Sequence, residues 1–169
     1  ELNPDNNVST GQMLVRGDAD ACLGVGCNKP LAYPNKLGGG GPNTLQYVVG
    51  NLGPGPAPAA ALTIELDVPP QNLAARFDGQ ACLGAVDIGG GRSRVRCEIG
   101  TLIPIVTNRL VSIDVNTVGI VAGNVTGSIQ ITSDAPDPDA NNNRIELDLP
   151  VAPVINLSTW VSVKQADYP

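Results

Sequence analysis

A period of two runs through this chain, and it constrains the fold more than any other feature. Leu62-Thr63-Ile64-Glu65-Leu66-Asp67-Val68 sets apolar against polar residues at every step. The same alternation sets Val95, Cys97 and Ile99 against Arg94, Arg96 and Glu98. It recurs at Val111, Ile113 and Val115, and at Val125, Ile129 and Ile131. Ile145, Leu147 and Leu149 alternate with Arg144, Glu146 and Asp148, and Leu45, Tyr47 and Val49 lead into Gly50. Successive side chains of a strand point to opposite faces, so each segment reads as a half-buried antiparallel strand. Gly38-Gly39-Gly40-Gly41-Pro42, Gly53-Pro54-Gly55-Pro56-Ala57-Pro58 and Gly89-Gly90-Gly91 punctuate them as loops. Short strands between such turns predict an all-β fold of two packed sheets.

Composition agrees. Of 169 residues 42% are apolar but only 3% aromatic, so the core must be built from Val, Ile, Leu and Ala. That length suits one substantial core. The 20 glycines and 15 prolines disfavour helices. A net charge of −6 argues against nucleic acid as a partner, because phosphates demand a basic surface. No apolar run approaches the roughly 18 residues of a membrane span. The start at Glu1, without a signal-peptide core, reads as a processed or excerpted chain.

Four cysteines fall into two local pairs, Cys22 with Cys27 and Cys82 with Cys97. Three connectivities are open, and local pairing is preferred. With no histidine and no C-x-x-C spacing, two disulfides outrank a zinc site. They imply an oxidising, extracellular or periplasmic setting.

The chain also ends on nearly the pattern with which it begins. Asn3-Pro4-Asp5-Asn6-Asn7 precedes Val8 to Val15, with Tyr33-Pro34 later. Asp137-Pro138-Asp139-Ala140-Asn141-Asn142-Asn143 precedes Arg144 to Val151, with Tyr168-Pro169 later. The offset is roughly 135 residues at both anchors, the size of a tandem β-domain. Three parts follow: residues 1–15 as the end of a preceding repeat, 16–151 as one domain, and 152–169 as the start of the next.

Tyr47-Val48-Val49-Gly50-Asn51-Leu52-Gly53-Pro54 resembles the Y-x-[VI]-x-N-x-G-P strand of a conserved-repeat domain of large bacterial and archaeal surface proteins. Leu62 to Pro69, the segment Cys82 with Arg96-Cys97-Glu98-Ile99-Gly100-Thr101-Leu102, and Thr132-Ser133-Asp134 through Asn143 resemble its later segments in order. The likeness covers about Leu45 to Val151, whereas Cys22 to Cys27 matches nothing in the pattern. The resemblance implies an immunoglobulin-like antiparallel β-sandwich with extra terminal strands, secreted or surface-anchored and without catalytic residues.

Both terminal segments would then fill slots already taken within this domain. Exposed ladder groups invite pairing, so the terminal strands are expected to pair with identical subunits or neighbouring repeats. The candidate assembly residues are Val8, Thr10, Met13 and Val15 at one end. At the other they are Ile155, Leu157, Trp160, Val161 and Val163. The sole tryptophan, Trp160, is a candidate interface anchor. The plainer alternative is that both tails fold onto their own sandwich.

Other features weigh less. Asp134, Asp137, Asp139 and Asn141 could hold Ca²⁺ through oxygen ligands, but Asp and Asn also build turns through side-chain-to-backbone bonds, and that reading is favoured. No other cofactor is expected. Arg16-Gly17-Asp18 is the integrin tripeptide, read here as a linker turn. Asn7, Asn124 and Asn156 begin glycosylation sequons. Arg92, Arg94 and Arg96 are expected to balance Glu65 and Asp67 across strands. The glycine runs lack the Lys-Ser/Thr and helix of a phosphate loop. Without histidine or a nucleophile elbow, the expected function is that of a non-enzymatic extracellular structural protein: a β-sandwich repeat assembling end to end into a filament, sheath or stalk. The alternative is a cell-surface adhesin that binds Ca²⁺ or glycan through its loops.

Overall fold

The protein is described by a computed structural model over residues 17–24, 35–104, 106–120 and 123–153. Ten strands follow in order: β1 (Ala21–Leu23), β2 (Pro42–Asn51), β3 (Ala57–Leu66), β4 (Leu73–Phe77), β5 (Gln80–Ala81), β6 (Val86–Gly89), β7 (Arg92–Leu102), β8 (Val106–Asn116), β9 (Gly123–Thr132) and β10 (Arg144–Val151). They form two five-stranded sheets, β1-β2-β8-β4-β5 and β10-β9-β3-β7-β6. Every neighbouring pair is antiparallel. The fold is the two-sheet β-sandwich expected from the alternation, of the immunoglobulin-like kind that the resemblance implies. The segments expected to be extra terminal strands, 1–15 and 152–169, lie outside the described residues except for Ala152 and Pro153.

Alternation becomes burial as the period predicts. In β10, Ile145, Leu147, Leu149 and Val151 are buried while Arg144, Glu146, Asp148 and Pro150 are exposed. Leu62, Ile64 and Leu66 of β3 meet Leu45, Tyr47 and Val49 of β2 in a single apolar core. Each such side chain, fully buried, contributes about 1.5–3 kcal/mol by leaving water. The opposite face of the β3 sheet carries the arginine stripe. Arg92 pairs with Asp67 at 2.9 Å and Arg94 with Glu65 at 2.6 Å, while Arg96 turns instead to Glu98 at 2.6 Å.

Strands β1, β4, β5 and β6 escape the sequence pattern, and so does Leu37. In β4, Leu-Ala-Ala-Arg-Phe has little intrinsic strand preference, yet Leu73, Ala75 and Phe77 face the core and β8 supplies the ladder. Leu37 is fully buried outside any long strand: its N–H donates to the Pro150 carbonyl at 2.9 Å, and its carbonyl accepts from Ala152 N–H at 2.8 Å.

Within the core, the Tyr47 hydroxyl is buried without a hydrogen-bond partner among the described residues. Burial pushes the phenol well above its ordinary range. A buried orphan hydroxyl costs about 1–3 kcal/mol, so Tyr47→Phe is expected to stabilise the fold by about 1 kcal/mol. Because the folded-state pKa is raised, the neutral phenol favours folding fully below the unfolded value of about 10, and that contribution is lost as pH rises beyond it. Denaturant melts of both forms between pH 8 and 11 should show the alkaline decline shrinking in Tyr47→Phe.

Candidate functional site

The long strands run between two poles of the sandwich. At the first lie Asn51, the start of β3, the end of β7 and the segment Gly17–Asp20 leading into β1. At the second lie Gly38–Pro42, Thr117, the start of β9 and the end of β10. Among the described residues the chain therefore arrives at the Asn51 pole and leaves, at Pro153, from the Thr117 pole. β7 and β8 have 11 residues each, so the poles stand about 37 Å apart.

One side chain organises the first pole. Asn51 is fully buried. Its Oδ1 accepts from Asp20 N–H and Gly53 N–H, both at 3.0 Å, and its Nδ2 donates to the carbonyls of Gly55 at 2.8 Å and Leu102 at 3.1 Å. This one amide thereby joins the arriving segment, the Gly-Pro loop and β7. Leu52 N–H to Asp20 O at 2.9 Å and Gly55 N–H to Asp18 O at 3.2 Å complete the seam. The backbones lie so close that a Cβ on Gly53 would overlap Asp18–Asp20, and one on Gly55 would overlap Gly17. Gly17 and Asp18 are thus stitched into the domain; Arg16 lies outside the described residues.

The Asp-Asn loop lies beside this seam and is a capped turn. Asp137 Oδ2 accepts from Ala21 N–H at 2.9 Å and from Asn143 Nδ2 at 3.2 Å, while its Oδ1 accepts from Asp139 N–H at 3.0 Å. Asp139 Oδ1 accepts from Asn141 N–H at 3.2 Å, capping the short 3-10 turn Ala140–Asn142. Asn142 Nδ2 donates to Asp20 Oδ1 at 2.7 Å. Asp137, Asp139 and Asn141 thus join one loop through turn bonds, and Asp134 contributes its backbone N–H to Pro58 O at 3.1 Å. Among the described residues, no three His, Cys, Asp or Glu side chains are grouped to hold a metal ion. Asp137→Ala is expected to cost about 2 kcal/mol by freeing the Ala21 and Asp139 N–H groups. Thermal melts should show that loss equally with and without Ca²⁺.

The second pole repeats the device with different residues. Asn43 Nδ2 donates to the carbonyls of Gly38 and Gly41, both at 3.0 Å, and its Oδ1 accepts from Gly38 N–H at 2.6 Å. The buried Thr117 hydroxyl donates to Gly38 O at 2.7 Å. The tetraglycine loop is thereby held at both ends.

Along one rim, Cys82 and Cys97 form a disulfide with Cα atoms 4.6 Å apart. It joins the loop after β5 to β7 and so ties one sheet to the other. Cys22 is disulfide-bonded and buried in β1, and Cys27 lies outside the described residues. The assembly candidates Val8, Thr10, Met13, Val15, Ile155, Leu157, Trp160, Val161 and Val163 lie outside them as well. Asn51, Asp20 and Gly55 were not singled out from sequence as working residues. The only signal for Asn51 was the N-x-G-P string itself.

No protein-family model matches the sequence, and no curated protein matches it. Several solved structures are similar in fold. A CARDB domain from Pyrococcus furiosus is 13% identical with a TM-score of 0.44, covering 79% of this chain and 94% of that one. The N-terminal domain of PorA is 10% identical with a TM-score of 0.45, covering 78% and 97%. A cohesin module from a family 33 glycoside hydrolase of Clostridium perfringens is 8% identical with a TM-score of 0.41, covering 82% and 99%. At such identities the likeness concerns the fold alone. Among the described residues no helix is long and apolar enough to cross a membrane.

Proposed function

We propose that this protein is a non-catalytic extracellular structural module, one subunit or repeat of an end-to-end assembly such as a filament, sheath or surface stalk. The carrying observation is that the described chain arrives at one pole and leaves from the other, one pole closed by the buried Asn51 amide and the other by the half-buried Asn43 amide with the buried Thr117 hydroxyl. A module threaded this way joins its neighbours in line without a long linker. Large apolar side chains exposed at the poles favour such contacts: Leu52 and Ile103 at the Asn51 pole, Val118 at the Thr117 pole.

Two further features support this reading. By the sequence repeat, residues 1–15 are the counterpart of β10 and 152–169 the counterpart of residues 17–34, which include β1; this suits identical subunits or neighbouring repeats sharing terminal strands. The disulfide suits an oxidising compartment. Electron microscopy of the native material tests the proposal. Regular fibres with an axial repeat of about 40 Å, one sandwich plus its contact, are the expected result. Isolated domains under all conditions would contradict it.

A further inference from the structure

The sheet edges are not protected alike. β10 is an edge strand whose outward ladder groups belong to Arg144, Glu146, Asp148 and Pro150, the charges and proline that deter pairing. On the opposite rim β5 has two residues, while β6 and the exposed part of β7 carry Asp87, Arg94, Arg96 and Glu98. β2 differs. Its ten residues, PNTLQYVVGN, contain no charge, although the chain carries a net −6.

β1 covers only the far end of that edge. It pairs with Val49–Asn51, and Gly24 N–H donates to Val48 O at 2.8 Å, where a positive φ of 105° at Gly24 turns the chain. Thr117 N–H bonds Gly41 O, so the odd residues of β2 face β8 and the even ones face outward. The backbone groups of Thr44 and Gln46 therefore face outward with no partner strand among the described residues.

We propose that this open stretch, Asn43–Tyr47, is a lateral interface that pairs antiparallel with the same stretch of a second copy. Centred on Leu45, such a pair sets Thr44 against Gln46 of the second copy and Gln46 against Thr44. Both become hydrogen-bonded pairs, and Leu45 meets its own counterpart on the core side. A two-fold strand pair sets equivalent residues near one another, so any charge near the centre would meet its like. The neutrality of this edge removes that obstacle, and its five residues fit the row left free by β1. The interface is independent of the pole-to-pole contact and would join two such arrays side by side.

Sedimentation velocity of the oxidised 169-residue chain tests it. Gln46→Pro removes an outward N–H that no ladder among the described residues uses, and Gln46→Lys brings an exposed positive charge to each side of the pair. Both should halve the sedimenting mass, whether the parent is a dimer or a longer end-to-end series, with circular dichroism unchanged. Equal masses for parent and Gln46→Lys would overturn the proposal. So would loss of the doubling on removal of residues 154–169, because the tail would then be the occupant of the edge.

Discussion

Replacing Asn51 with alanine is expected to lower the unfolding free energy by about 4 kcal/mol, an exceptional loss for one substitution. The size follows from four partners. The N–H groups of Asp20 and Gly53 and the carbonyls of Gly55 and Leu102 all lose their bonds at once. Each group left unsatisfied costs about 1 kcal/mol or more where water is excluded. For a chain of this size the melting temperature should fall by about 10 °C. Asn51→Asp separates the cause from mere volume. A carboxylate keeps both acceptor contacts but points an oxygen at the Gly55 and Leu102 carbonyls, so its pKa should rise. The variant should therefore be weak at neutral pH and should recover relative to the parent as pH falls through that raised pKa. Equal stability of Asn51→Ala and the parent in urea melts would refute the hub.

The second large effect is expected from the Cys82–Cys97 disulfide. It closes a loop with a sequence separation of 15, for which the chain-entropy model gives about 3 kcal/mol. The position makes the bond consequential. β5 and β6 are two and four residues long, so few ladder bonds hold that rim without it. Cys97 is buried in the core, and the neighbouring loop holds by Cys82 N–H to Ala75 O and Leu83 N–H to Arg96 O, both 3.0 Å. Cys82→Ala with Cys97→Ala should lose about 3 kcal/mol in denaturant unfolding, and hydrogen exchange should quicken first at Gln80–Gly89. Unchanged exchange at this rim would show that packing alone secures it.

The sandwich was readable because burial on one face imposes period two on every long strand, as in β3 and β10. What closes its ends was not readable in the same way. Asn51 is a polar residue in a Gly-Pro-rich stretch, a context that ordinarily marks a solvated turn. Its burial depends on Asp20, 31 positions earlier, and Leu102, 51 positions later. No local periodicity encodes such a meeting; only the resemblance of Tyr47–Pro54 to a repeat strand pointed at the residue. Asp137 is a middle case. Its turn-forming role was visible from Asp-Pro-Asp spacing, but its bond to Ala21, 116 residues away, was not. β4 was missed because alanine and arginine carry little strand signal, and β8 supplies the order they lack.

The central claim, joining pole to pole, is tested most directly by a distance between copies. Val118 and Ile103 are exposed at opposite poles, with relative accessibilities of 58% and 60%. Spin labels are placed on Val118→Cys in one batch and on Ile103→Cys in another, and the batches are mixed and assembled. Electron–electron double resonance should then report a label separation far shorter than the about 37 Å between the poles of one sandwich. A short distance only between like-labelled copies, or none at all in assembled material, would contradict an end-to-end arrangement.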